Sequence, residues 1–141
     1  MFKYLLLFIW MAAILTGCGP NDTPRGVTME FVGSVIEDDS LAIEQLLDLD
    51  LMVQRRMLVI PPTDSTQTHA YFRDTIMRNL TGDGGTRALW MDMRLVVGDE
   101  KVDGDTAYVE LTSMDQDTGY IQYLTVHLYK GAGGWRVYQF L

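Results

Sequence analysis

His127 lies in the segment YLTVHLYK, with Tyr123 and Tyr129 at even spacing on the same strand face. An imidazole walled by aromatic rings is a group that acid or base chemistry can use, because its ordinary pKa is close to neutrality and a dry environment moves it. Asp74 and Asp92 are the other candidates, carboxyls that would act as acid or base only inside an apolar enclosure. Each has a blander reading. Asp74 precedes Arg78 by one helical turn and lies off the Phe72, Ile76, Leu80 stripe, which predicts a solvated pair. Asp92 and Arg94 alternate onto the polar face of one strand, which predicts an exposed charge pair. The apolar alternation of Leu124, Val126 and Leu128 turns those residues toward a core and His127 away from it.

Metal chemistry has few ligands to work with. His69 and His127 are the two histidines, Cys18 is the one cysteine, and no spacing matches a zinc or calcium motif. Met91 and Met93 place two thioethers on one strand face, donors suited to soft copper(I), but both continue the Leu89, Leu95, Val97 stripe and are expected to pack in the core. Phosphate-cradling Gly-Lys loops and nucleophile elbows are absent from the sequence, and no metal or cofactor is expected. A formal charge of -8, from 11 basic and 19 acidic residues, would repel a nucleic acid, which excludes that class of partner.

The elements that must position these groups follow from periodicity. Thr23 and Pro24 open a first helix with Val27, Phe31 and Val35 on one stripe and Val32 and Ile36 alongside. Ser40 is expected to cap a second helix carrying Ile43, Leu46, Leu47 and Leu51, after the acidic break Glu37 to Asp39. The run Met57 to Ile60, stopped by Pro61 and Pro62, predicts a short strand, and Thr68 to Leu80 a third helix. From Arg87 the period becomes two, and Leu89, Met91, Met93, Leu95 and Val97 alternate with Trp90, Asp92, Arg94 and Val96. Three further alternating runs separated by GDEKVDGD, SMDQDTG and GAGG complete an antiparallel meander. The expected fold is α+β, with N-terminal helices packed on one face of a curved antiparallel sheet of about four strands. Its outer face would then gather Trp90, Tyr108, Tyr123 and Tyr129 into an aromatic patch suited to a ligand, a partner or a second copy of the chain.

The first residues carry an address. Lys3 precedes the apolar run Tyr4 to Leu15, which is too short to span a bilayer comfortably and reads as an export signal. Leu15, Thr16 and Gly17 lead directly into Cys18, and this order resembles the lipobox of bacterial lipoproteins. The resemblance implies a signal peptide over residues 1–17 and Cys18 as a lipidated N-terminus, acylated through sulfur and amine, with a short tether over 18–22. It further implies a membrane partner reached through that anchor. Gly19, where inner-membrane retention favours Asp, implies the outer membrane facing the periplasm. Two or more acyl chains anchor stably where one does not. A tether on the order of 15 Å keeps the domain close to its bilayer.

Residues 23–141 form the expected single domain. Within it, TPRGVTMEFVGSVIEDDSLAIEQLL and VHLYKGAGGWRVYQF resemble the opening helices and closing hairpin of the nuclear transport factor 2-like superfamily, a cone-shaped fold. The resemblance implies that fold and carries over no catalytic residue. The leading expectation is a non-enzymatic envelope lipoprotein that binds an apolar small ligand or an envelope protein. The alternatives are an isomerase- or hydrolase-type enzyme using His127 or an acid, and a structural subunit forming a homodimer through the outer sheet face.

Overall fold

The computed structural model describes residues 23–140, so Cys18, the signal segment and the tether lie outside the described residues. Helix α1, Pro24–Glu37, starts as the sequence predicts: Thr23 Oγ1 accepts a hydrogen bond of 3.0 Å from the Gly26 amide, and Pro24 occupies the first helical position. Val27, Phe31, Val32 and Val35 are buried, whereas Ile36 is exposed. Asp38, in the left-handed region at φ 62°, ends the helix.

The expected second helix is two helices. Helix α2, Ser40–Leu46, is capped by the Asp39 carboxylate, which accepts from the Ala42 amide at 3.0 Å, and Ser40 is its first residue. The chain then breaks at Leu47, which bridges to Val137, while the Asp48 amide donates to the Val137 carbonyl at 2.8 Å. Asp48 in turn caps helix α3, Leu49–Val59, by accepting from the Leu51 amide. The sheet supplies the hydrogen bonds that make this interruption affordable. No strand forms over Met57 to Ile60; α3 runs to Val59 with Leu49, Val53 and Met57 at four-residue spacing on its inner side. A short apolar run is compatible with either period, and here the cap upstream decides it.

Helix α4, His69–Leu80, matches expectation, with Thr68 as its cap and Phe72, Ile76 and Leu80 buried. Helix α5, Gly85–Met91, replaces the predicted start of a strand. Its inward side is Thr86, Arg87 and Trp90, a helical spacing, while Leu89 and Met91 are about half exposed. Met91 and Met93 therefore do not share a strand face or a core stripe, and Asp92 is the exposed C-cap of α5, not a strand partner of Arg94.

Strands β1 (Met93–Asp103), β2 (Thr106–Asp115), β3 (Ile121–Gly131) and β4 (Gly134–Phe140) form one antiparallel sheet in sequential order. Helix α1 packs against β1, β2 and β4, and the core fills the space between helices and sheet with Ala107, Val109, Leu111, Val126, Leu128 and Val137 facing it. This is the expected α+β layout. The core draws on Val27 at one end and Val137 at the other, so a chain beginning at Gly19 retains the complete packing unit.

Arg87 ties α5 to α1. Its guanidinium donates to the carbonyls of Val35 (3.1 Å) and Ile36 (3.1 Å), helix-end acceptors that lack partners within the helix, and to the Gly82 carbonyl (2.9 Å) in the turn after α4. Arg87→Met, which keeps the aliphatic stem, is expected to lower unfolding free energy by about 1.5–3 kcal/mol, read from urea denaturation. A loss below about 0.5 kcal/mol would show that water replaces these bonds without cost.

Candidate functional site: an arginine-lined apolar groove

The C-terminal half of α3, the C-terminal half of α4, the turn into α5 and the end of β4 enclose a groove of about 930 Å³. Its volume is at the upper end of the range usual for small-molecule sites. Local sequence explains each wall. Strand β4 is an edge strand, and Val137 pairs with Leu128 while Gln139 pairs with His127, leaving Tyr138 as an unpaired bulge residue. The bulge turns Tyr138 into the groove, buried, with the Arg55 guanidinium 4.9 Å above its ring. Gly84 lets α5 begin hard against the end of α4: a Cβ there would lie 2.2 Å from the Arg78 carbonyl oxygen. Only glycine permits that approach.

The lining is mainly apolar, with Met52, Ile76, Leu80 and Phe140 at its base and Leu58, Val59 and Ile60 at its rim. Phe140 also packs tilted against Phe31 and edge-on to Trp90, which joins the groove to the core. Arg55, Arg56 and Arg78 supply the charge. Among the described residues, no Asp or Glu lines the groove. Among the described residues, none of the three arginines has a carboxylate partner within 4.0 Å. A large apolar surface edged by unneutralised guanidinium groups suits a ligand with a hydrocarbon body and an anionic head.

No family model and no curated protein matches the chain. Among solved structures, the fold is similar to that of a phospholipid-binding protein from Ralstonia solanacearum, determined in complex with a phospholipid, with a TM-score of 0.53 and 15% sequence identity over 87% of this chain and 77% of that one. At that identity the likeness concerns the fold.

The residues singled out from sequence lie elsewhere. Asp74 is exposed, and Arg78 Nε donates to its main-chain carbonyl at 3.4 Å, not to its carboxylate. Asp92 is exposed at the end of α5. His127 is half-buried on the sheet face away from the core, edge-on to Tyr108 at 5.0 Å and to Tyr138 at 6.0 Å between ring centres. It does not line the groove, though its neighbour Tyr138 does. The expected aromatic patch is smaller than predicted. Trp90 is buried in the core, so it contributes nothing to the outer face. Tyr108 and Tyr129 lie near one end of that face, while Tyr123 comes six residues before Tyr129 on β3, about 20 Å from it.

Burial, and secondly the positive charge of Arg55, lower the pKa of His127 from its ordinary value. The unfolded chain then binds a proton that the folded chain refuses, so stability is present above the ordinary histidine range and is lost as pH falls through it toward the depressed folded value. The urea midpoint is expected to fall between pH 7.5 and pH 5, and His127→Gln to flatten that fall. An equal pH dependence in the variant would remove His127 as its source.

The groove residues Arg55, Arg56, Arg78 and Tyr138 were not selected from the sequence. Two consecutive arginines ahead of an apolar run in an acidic chain were a faint signal. Their convergence with Arg78 depends on how α3 and α4 pack.

Proposed function

We propose that this protein is a lipid-anchored envelope lipoprotein whose groove binds, without transforming, an anionic amphiphile of the phospholipid class. The observation that carries the reading is the groove itself: three arginines and, among the described residues, no acid around an apolar cleft, in a chain of formal charge -8. Burying a hydrocarbon chain contributes about 0.8 kcal/mol per methylene, so ten methylenes give about 8 kcal/mol to set against the cost of association. The guanidinium groups then select a head that accepts charged hydrogen bonds. The Ralstonia solanacearum protein of similar fold supports the ligand class, since it was determined with a phospholipid bound.

Anchoring rests on the lipobox order at Leu15 to Cys18, and Gly19 after the cysteine favours the outer membrane facing the periplasm. The cone-shaped nuclear transport factor 2-like scaffold suits this use, because an open sheet capped by helices leaves a cleft at one edge. A catalytic role for His127, Asp74 or Asp92 has no support from position, since none lines the groove.

Native mass spectrometry of the chain from Gly19 onward, exported to the periplasm and purified without detergent, tests the ligand. A reproducible added mass of several hundred daltons that fragments to an anionic lipid is expected; a bare mass from protein that also fails to take up added lipid would sink the reading. Anchoring is tested separately, because Cys18→Ser should abolish membrane partitioning of the full chain.

A further inference from the structure

The rim of the groove is more exposed than a ligand wall needs to be. Leu58 and Val59 are 83% and 81% exposed, and Ile60 is 53% exposed. Successive helical positions are rotated by roughly 100°, so these side chains fan around the end of α3, and one molecule lying in the groove covers only part of them. The geometry has a local cause. Pro61 and Pro62 cannot continue the helix, and Ile60, held before Pro61 at φ -125° and ψ 87°, turns the chain away and leaves the apolar tip projecting. Arg55 and Arg56 stand on the turn behind the tip, and both also line the groove. The following segment, residues 61 to 68, contains one acid, Asp64, whose carboxylate accepts from the Thr66 amide.

Three contiguous exposed aliphatic side chains backed by two cations form an interfacial pattern, apolar residues entering the acyl boundary and guanidinium groups meeting headgroups. Elsewhere the chain is strongly acidic and would be repelled from such a surface. We propose that the Leu58–Val59–Ile60 tip of α3 docks into the surface of an anionic phospholipid bilayer, bringing the groove mouth against the membrane so that a lipid passes between bilayer and groove without crossing water. This rests on the groove being an amphiphile site. Charge complementarity favours the bilayer over a protein partner: the cations border the same tip that carries the aliphatic residues, and tip and cations alike line the groove.

Flotation of the unlipidated chain beginning at Gly19 with vesicles tests the docking, and uptake of monomeric dihexanoyl phosphatidylglycerol tests the groove independently. The chain is expected to float with vesicles of phosphatidylcholine and phosphatidylglycerol at four to one and to stay in solution with phosphatidylcholine alone. Leu58→Asp with Val59→Asp should weaken vesicle binding by about tenfold or more, with the urea midpoint unchanged and a clearly smaller fold-loss of short-chain lipid affinity, since both residues also border the groove; Leu58→Ser with Val59→Ser should give a smaller loss of vesicle binding in the same direction. Vesicle binding by the aspartate variant equal to that of the parent chain would overturn the proposal. So would failure of the parent chain to float, or equal flotation on neutral vesicles. An equal fold-loss of short-chain lipid affinity and of vesicle binding also overturns it, by making the tip merely a groove wall. Flotation that depends on the tip, in a chain without short-chain lipid affinity, would leave docking standing and remove the groove reading instead.

Discussion

Trp90→Ala is expected to lower the unfolding free energy by about 3–5 kcal/mol, the cost of emptying a large buried aromatic site. Trp90 is 3% exposed, with its ring edge-on to Phe31 at 5.7 Å and to Phe140 at 5.9 Å between centres. Phe31 and Phe140 also meet at 5.5 Å, so the three rings form one cluster that the truncation opens from one side. Such contacts contribute beyond area alone. The magnitude separates two descriptions of residues 85–91. On an alternating strand Trp90 faces outward and its loss costs less than about 0.5 kcal/mol, as at most surface sites. On helix α5 it closes the core beneath the groove. Urea denaturation of the chain from Gly19 onward decides between them, and a domain with 5–15 kcal/mol of total stability would register the larger loss as a marked fall in midpoint.

The second large effect concerns binding. Arg55→Glu combined with Arg78→Glu is expected to weaken uptake of dihexanoyl phosphatidylglycerol by about a hundredfold or more, since each charged hydrogen bond removed is worth about 1.5–3 kcal/mol and each introduced carboxylate repels the head. Stability should change little. Neither guanidinium has a carboxylate partner among the described residues, and the stacking of Arg55 on Tyr138 is an exposed cation contact worth about 0.5–1 kcal/mol. Paired lysine substitutions should retain part of the affinity, because charge survives while the planar fork is lost. Isothermal titration with the short-chain lipid measures both, and unchanged affinity in the glutamate pair would exclude the arginines from headgroup recognition.

The two experiments probe connected regions. Phe140 belongs to the aromatic cluster and also lines the groove, so the core under Trp90 forms part of the site's base. A loosened core is therefore expected to disturb the groove, whereas the arginine pair changes its charge and leaves the cluster intact.

The sequence by itself determined the architecture wherever signals were local or strictly periodic. Thr23 before Pro24, Thr68 before the Phe72, Ile76, Leu80 stripe, and the alternation through β2 and β3 each act within a few residues, and each appears in the fold as read. The order Leu15, Thr16, Gly17, Cys18, on which the proposed anchoring rests, is of the same local kind, though it lies outside the described residues. Tertiary structure decided what local signals leave degenerate. Residues 87–91 satisfy a two-residue alternation on paper, but the hydrogen bonds of Arg87 to the end of α1 and the burial of Trp90 make them helical. Met57 to Ile60 read equally as strand or helix until Asp48, itself held by the Val137 carbonyl, starts α3 upstream. The groove was the least legible feature, because Arg55, Arg78 and Tyr138 are far apart in sequence and converge only through helix packing and a bulge in β4. Periodicity records which side of an element is dry, whereas a binding site depends on which separate elements meet, and that is fixed only when the core closes.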